Sequence, residues 1–217
     1  MRSAVIFDLD GCLVDSRRVF LNSMRYALEK LGLEPRTDAE LLPFLGPPFV
    51  QGFSELFGVP QDDPLVPAAI DAYRERYGAK MTTETDVPDG MPGALQVLGG
   101  THVLGVATSK PRHFAKPLLE ALGLAQHFAV IAGPQLDHRV ETKAETLARA
   151  LQQLGDVKAV MAGDRSFDVV GAHANGIPCI GVTWALLDDA ELKAAGADAI
   201  ISHPRELPDA VNVLLGA

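Results

Sequence analysis

Near its N-terminal end the chain reads Ala4-Val5-Ile6-Phe7-Asp8-Leu9-Asp10-Gly11. The first four residues form a short apolar run and lack the alternation of a strand that has one face in water. Such a run is typical of a strand buried in a parallel sheet. Ligands of open α/β sheets bind beyond the carboxyl ends of the strands. Asp8 and Asp10 therefore stand where a ligand site is expected, while an Asp-Gly pair is also a common turn signal.

Similar apolar runs recur along the chain, at 103–107, 129–132, 159–162, 179–182 and, more weakly, 199–201. Between these runs, apolar residues repeat at helical spacing, at Phe114, Leu118, Leu119 and Leu122 and again at Leu147, Leu151 and Leu154. Strands that alternate with helices of this length are typical of a parallel sheet with helices on both faces. We predict an α/β fold of the doubly wound kind.

Residues 15–86 interrupt this alternation. They contain three helical stripes and no strand-like run, and the stripes are expected to end at Gly32, Gly58 and Gly78. Turns that contain proline separate the stripes. We therefore predict an all-helical domain over 15–86, inserted into a core formed by 1–14 and 87–217. Four phenylalanines are interpreted as the core of this insert rather than as a platform for a nucleobase: Phe44, Phe49, Phe53 and Phe57.

Composition limits the classes of function. The 217 residues are 47% hydrophobic and carry a net charge of −9, which argues against nucleic acid or an anionic membrane as a partner. Two distant cysteines, Cys12 and Cys179, do not make a disulfide framework or a zinc site, and the six histidines are scattered. The first apolar run is too short for a signal sequence or a membrane span. We expect a cytoplasmic protein that is a monomer or a weak homodimer.

Three more strand ends carry polar residues of chemical interest. Thr108-Ser109-Lys110-Pro111 follows the second core strand, where hydroxyls and amides at a helix start bind phosphate or simply cap the helix. Lys143 opens the next helix, a place unfavourable for a cation, so it either lies beside an anion or is simply solvated. Gly163-Asp164-Arg165-Ser166-Phe167-Asp168 adds two carboxylates four residues apart, and oxygen ligands suit a hard divalent cation. All these groups are predicted at one edge of one sheet.

These segments resemble, over nearly the whole chain, the haloacid dehalogenase (HAD) superfamily and its phosphatase branch with a small helical cap. Residues 8–16 are similar to the first motif of the family and Thr108-Ser109-Lys110 to the second. Lys143 is similar to the third motif, and Gly163-Asp164 with Asp168 to the fourth. The resemblance implies a Rossmann-like core with the helical insert as its cap.

The resemblance also implies a mechanism. Asp8 would attack phosphorus and form an aspartyl-phosphate, and Asp10 would serve as general acid and then as general base. A magnesium ion would be held by Asp8, the backbone carbonyl of Asp10, Asp164 and Asp168, the last directly or through water. The expected substrate is a small phosphate ester.

Phosphate contacts follow from the same resemblance. Thr108, Ser109 and Lys143, together with backbone N–H groups around them, would hold the phosphoryl oxygens. The loop Gly46-Pro47-Pro48 would either meet the leaving group of the substrate or form a rigid turn before the next helix.

Single residues distinguish this chain from other branches of the superfamily. Dehalogenases need no acid two residues after the nucleophile and use no magnesium, so Asp10 favours phosphoryl transfer. Phosphonatases need a lysine in the cap, and Lys30 is the only lysine of the insert before Lys80. The chain is most similar to proteins of the phosphoglycolate phosphatase or 5′-nucleotidase kind. Two alternatives stay open, a sugar-phosphate mutase of the same fold and a non-catalytic binding module.

Overall fold

The computed structural model describes residues 2–45, 49–136, 141–185 and 189–216. The chain divides into two compact units, one made of Met1–Asp15 with Val87–Ala217 and the other of Ser16–Asp86. Asp15, placed in the insert by the sequence, lies in the first unit. Use of the helical unit as a cap stays a prediction.

The larger unit contains a six-stranded sheet in which every pair of neighbours is parallel. The strands are β1 (Ser3–Phe7), β2 (Val103–Ala107), β3 (Phe128–Ala132), β4 (Lys158–Gly163), β5 (Cys179–Val182) and β6 (Ala199–Ile201). Their order across the sheet is β3-β2-β1-β4-β5-β6. All six predicted strands are confirmed, and their apolar character follows from burial, since four residues of β1 are fully buried.

The helical unit contains α1 (Arg17–Lys30), α2 (Asp38–Leu41), α3 (Phe49–Phe57) and α4 (Leu65–Lys80), with a 3₁₀ turn at Leu42–Phe44. Its interior is aromatic: rings lie in contact at Phe20, Phe49, Phe53, Phe57, Tyr73 and Tyr77. The Phe44 ring packs against the bare Cα of Gly52. The interpretation of the four phenylalanines as core of this unit is therefore supported by their contacts.

The predicted end of the third helical stripe at Gly78 is wrong. Helix α4 continues through Gly78 to Lys80, and the Met81 N–H still donates to the Tyr77 carbonyl at 2.8 Å. Gly32 and Gly58 do follow their helices, and both have the positive φ of a helix-ending glycine, 66° and 67°. Glycine weakens a helix but ends it only where the glycine adopts the left-handed conformation. The sequence does not give the φ angle, so it did not distinguish Gly78 from Gly32 and Gly58.

Among the described residues, six further helices belong to the sheet unit: α5 (Met91–Gly99), α6 (Arg112–Ala121), α7 (Lys143–Leu154), α8 (Ser166–Ala174), α9 (Ala190–Ala195) and α10 (Leu207–Leu215). Apolar side chains of α7 and α8, among them Leu147, Ala150 and Val169, pack on one face of the sheet. None of the helices within the described ranges has both the length and the apolar character that a bilayer span requires.

A capping box sets the first residue of α7. The Thr142 hydroxyl accepts from the Glu145 N–H at 3.2 Å, and the Glu145 carboxylate accepts from the Thr142 N–H at 2.8 Å. Two of the N–H groups that are free at a helix start, those of Thr142 and Glu145, are thereby satisfied. As a result Lys143 occupies the first helical turn at a defined position.

We expect Thr142→Ala to lower the free energy of unfolding by about 1 kcal/mol, because the cap hydroxyl is lost. Thr142→Ser keeps the hydroxyl and is the matched control, with stability close to that of the wild type. Urea unfolding followed by circular dichroism measures both. Equal losses in the two variants would show that the hydroxyl bond does not stabilise α7.

Candidate active site

The sheet order places three strand ends side by side. Strand β1 lies between β2 and β4, and the strands that follow extend to opposite sides of it. Asp8 directly follows β1, Thr108 follows β2 and Asp164 follows β4. Such a change of direction in strand order opens a crevice at the carboxyl edge of an α/β sheet. The chain therefore gathers its predicted site residues at the edge where ligands bind.

Three buried carboxylates meet at this edge. Asp8, Asp164 and Asp168 are at most 8% exposed, and one oxygen of each lies within 4.8 Å of the others. The ammonium of Lys143 lies 2.7 Å from Asp8 Oδ1 and 2.9 Å from Asp168 Oδ1. Residues that are 135 positions apart in sequence thus form one charged cluster.

The environment shifts the protonation of these groups. Burial raises the pKa of Asp8 to about 6, against the opposing charge of Lys143. Burial, reinforced by the charges of Asp168 and Asp8, raises the pKa of Asp164 well above its usual range. Burial alone would lower the pKa of Lys143, but the Asp168 and Asp8 carboxylates outweigh it and raise that pKa. Lys143 is therefore charged, and one ammonium stands against three carboxyl groups.

Lys143 is held from several directions. Besides its two carboxylates, Nζ donates to the Ala107 carbonyl at 3.2 Å, at the end of β2. The side-chain stem passes Gly171 of α8 so closely that a Cβ there would lie 2.8 Å from Lys143 Cγ. Of the two sequence interpretations of this lysine, a nearby anion or simple solvation, the structure supports the first, with the carboxylates of Asp8 and Asp168 beside it.

Glycines make the close packing of the acidic cluster possible. Gly11 has a φ of 84°, and a Cβ on it would lie 2.1 Å from Asp164 Oδ2. A Cβ on Gly163 would lie 2.3 Å from Asp168 Cγ. The loop after β1 and the end of β4 thus approach the carboxylates more closely than any residue with a side chain allows.

Asp10 has a different environment from Asp8. Its Oδ2 lies 2.6 Å from the Nζ of Lys110, and the side chain belongs to no described cluster of metal-binding groups. The sequence prediction gave Lys110 no role of its own. A cation two residues past Thr108 at a strand end was the available signal, parallel to that of Lys143.

The second motif divides between a buried and an exposed residue. Thr108 is buried, its N–H donates to the Ala132 carbonyl at 3.0 Å, and its hydroxyl accepts from the Lys110 N–H at 3.1 Å. Ser109 is exposed. The loop Gly46-Pro47-Pro48, predicted as a substrate contact, lies outside the described residues.

Polar contacts also secure the loops around the cluster. The Trp184 indole N–H donates to the Cys12 carbonyl at 2.9 Å and so ties its loop to the loop after β1. Arg165 pairs with Glu191 at 3.1 Å, and the same carboxylate accepts from the Ser166 N–H at 2.8 Å. In the helical unit, Lys30 forms an ion pair with Glu75 and is exposed, so nothing in its surroundings marks it as the reactive cap lysine of a phosphonatase.

The donor set fits a divalent magnesium ion. Magnesium prefers carboxylate oxygens, usually one or two of them with water and phosphate. Within the described part of the chain, the buried Asp164 Oδ1 has no hydrogen-bond partner. An additional cation would also offset the repulsion that raises the pKa of Asp164. The three aspartates therefore fit a magnesium ion.

A sequence model of haloacid dehalogenase-like hydrolases matches residues 5–182, a span that contains all four predicted motifs. The chain belongs to the haloacid dehalogenase-like hydrolase family and is an enzyme of that family, as its motifs indicated.

Its relatives carry different names. The chain is 37% identical over 193 residues to a 5′-nucleotidase of Pseudomonas aeruginosa, and the aligned stretch covers 88% of this chain and 86% of that protein. It is 40% identical over 185 residues to the tyrosine-protein kinase PtkA of Mycobacterium tuberculosis, which covers 83% of this chain but only 62% of PtkA. It matches the crystal structure of a predicted phosphatase from Clostridium acetobutylicum with a TM-score of 0.91 and 37% identity, over 99% of this chain and 100% of that one. The predicted fold class is confirmed.

We expect Gly11→Ala to destabilise the protein by about 2–5 kcal/mol, because backbone strain adds to a clash with the Asp164 carboxylate. Gly196→Ala is the control, since Gly196 has a similar φ of 81° and nothing within 4 Å of its Cβ position. That variant should lose only about 1–2 kcal/mol from the backbone term. Equal losses in urea unfolding would contradict the close approach at Asp164.

Proposed function

We propose that this enzyme is a magnesium-dependent phosphatase that hydrolyses small phosphomonoesters through an aspartyl-phosphate on Asp8. The observation that supports this most directly is the cluster at the end of β1, where Asp8 lies buried beside Lys143, Asp164 and Asp168. A carboxylate nucleophile needs nearby positive charge to approach an anionic phosphate. Lys143 supplies one such charge, and the acidic pair supplies ligands for a second.

In the first step, an oxygen of Asp8 forms a bond to phosphorus while the bond from phosphorus to the ester oxygen breaks. The leaving oxygen takes a proton from Asp10. In the second step, Asp10 takes a proton from water, whose oxygen bonds to phosphorus as the bond to Asp8 breaks. Inorganic phosphate is released, and both aspartates return to their starting states. The two carboxyl groups have different surroundings, Asp8 beside Lys143 and Asp10 beside Lys110.

The remaining residues bind charge. Lys143 and the Thr108 hydroxyl, with the backbone N–H groups near Ser109, would hold the phosphoryl oxygens. Asp8, Asp164, Asp168 and the backbone carbonyl of Asp10 would hold the magnesium ion. A bound magnesium ion supplies electrostatic stabilisation of the phosphoryl charge. The unit Ser16–Asp86 would act as the cap that closes such sites in the family.

The substrate class is proposed from the relatives. The similarity to a 5′-nucleotidase favours nucleoside monophosphates, and 2-phosphoglycolate is the other leading substrate. A sugar-phosphate mutase would return the phosphoryl group to a sugar instead of to water. The similarity to a protein named a tyrosine-protein kinase adds transfer from ATP to a tyrosine peptide as a separate arm of the test.

We expect phosphate release from at least one member of a panel of nucleoside monophosphates, 2-phosphoglycolate and sugar phosphates, and only with magnesium. Asp8→Asn should abolish release while the protein stays folded, because an amide cannot form the aspartyl-phosphate. Asp156→Asn, which changes an exposed aspartate of the same unit, is the matched control and should keep full activity.

Residual turnover by Asp8→Asn would refute the aspartyl-phosphate mechanism. Conversion of a bisphosphorylated sugar without net phosphate release would favour the mutase. Labelling of a tyrosine peptide from ATP, with no ester hydrolysis, would favour the kinase reaction.

Magnesium binding is testable without turnover. Isothermal titration calorimetry should show one magnesium site in the wild type, weakened about tenfold or more (about 1.4 kcal/mol) in Asp164→Asn because a charged oxygen ligand is lost. Asp156→Asn should bind as the wild type does. Absence of magnesium binding in the folded wild-type protein would revive a non-catalytic binding module.

A further inference from the structure

The ion pair between Lys110 and Asp10 is the part of this edge that the proposed mechanism leaves unexplained. Lys110 Nζ lies 2.6 Å from Asp10 Oδ2, and the two side chains are only 10% and 15% exposed. An exposed pair of this kind contributes little, but a pair this well shielded from water holds its partners firmly in place.

The two oxygens of Asp10 are in different situations. Oδ2 faces the Lys110 ammonium, which can donate hydrogen bonds but has no lone pair to accept one. Oδ1 is buried and has no hydrogen-bond partner within the described residues. A proton on Oδ2 would point at the ammonium hydrogens. The proton that Asp10 exchanges therefore belongs on Oδ1, and the contact with Lys110 makes this choice.

The backbone of Lys110 is itself fixed. Its N–H donates to the Thr108 hydroxyl at 3.1 Å, and a Cβ on Gly133 would lie 2.5 Å from the Lys110 carbonyl oxygen. The next turn is tied down by the Arg112 N–H, which donates to the Pro134 carbonyl at 2.9 Å. The Lys110 side chain therefore extends from a constrained stretch of backbone, and its ammonium is held at the far end by Asp10.

We propose that Lys110 is a positioning residue for proton transfer by Asp10. It holds Oδ2 by an ion pair, which leaves Oδ1 as the oxygen of Asp10 that exchanges the proton. When the ester bond breaks, the proton moves from Oδ1 to the leaving oxygen, and the carboxylate that remains stays paired with Lys110. In the hydrolytic step, Oδ1 takes the proton back from water. The inference rests on the proposed phosphatase function.

The test compares two esters of similar size, phenyl phosphate and p-nitrophenyl phosphate. Phenolate is a poor leaving group that needs a proton, whereas p-nitrophenolate leaves without one. The quantity to measure is kcat/KM, since it reports the steps up to release of the leaving group and not the later hydrolysis of the aspartyl-phosphate. A residue that acts through the general acid affects phenyl phosphate selectively, and a residue that only supports the fold affects both esters alike.

We expect Lys110→Met to lower kcat/KM for phenyl phosphate by about 10-fold or more, within the contribution of a positioned general acid, and that for p-nitrophenyl phosphate by less than about 3-fold. Asp10→Asn should show the same selectivity to a larger extent. Lys110→Arg keeps the positive charge and the donors and should restore most of the phenyl phosphate activity. Lys116→Met, on an exposed lysine of α6, is the matched control and should change neither value.

The outcomes distinguish failure of the proposed phosphatase function from failure of the role of Lys110. If the folded wild type releases no phosphate from either ester or from any member of the substrate panel, the proposed function fails, and the role of Lys110 with it. If Asp10→Asn is selective for phenyl phosphate but Lys110→Met slows both esters equally, the role of Lys110 alone is refuted. Lys110→Gln, read in the same way, replaces the methionine variant if circular dichroism shows that variant unfolded.

Discussion

The ion pairs of Lys143 with Asp8 and Asp168 are the interaction on which the active edge depends. They join the end of β1 to the starts of α7 and α8, so three elements converge on one ammonium. Charges taken out of water cost several kcal/mol each, and only close, well-directed partners offset that cost. Here the distances of 2.7 and 2.9 Å supply such partners. Loss of either side would leave a buried charge without compensation.

This cluster dictates several features of the surrounding chain. Glycine is required at position 11 and at position 163, because the neighbouring carboxylates occupy the space of a Cβ. The capping box at Thr142 is required for a different reason, since it settles which residue begins α7. A cation in the first turn of a helix opposes the helix dipole by several tenths of a kcal/mol, which the two carboxylates readily outweigh.

Asp8 and Asp10 are separated by one residue in sequence but lie in different surroundings. Asp8 sits among carboxylates and Lys143, where burial raises its pKa to about 6, whereas Asp10 pairs with Lys110. Environments that differ in this way allow chemically identical groups to take different roles. Relatives named for different activities match most of this chain, so membership of the family alone does not determine the reaction.

The sequence by itself determined the strands, the doubly wound class and the order of the four motifs, because each of these depends on short stretches. An apolar run such as Ala4–Phe7 is recognisable without its neighbours. The end of such a run indicates a ligand site, because ligands of α/β sheets bind beyond the carboxyl ends of the strands. Family resemblance then assigned roles to Asp8, Asp10 and Lys143. Where the pattern was read too literally, as at Gly78, the error came from a residue whose effect depends on its φ angle.

Only the tertiary structure decided which charges meet. The pairing of Lys110 with Asp10 and that of Lys143 with Asp8 join residues 100 and 135 positions apart, as the numbering shows. The same holds for the close approach of Gly11 to Asp164 and for the Trp184 bond to the Cys12 carbonyl. Sequence patterns report the periodicity of local elements, whereas these contacts arise from how the sheet brings its strand ends together. The sequence therefore identifies the residues of the site, and only the folded structure sets the distances between them.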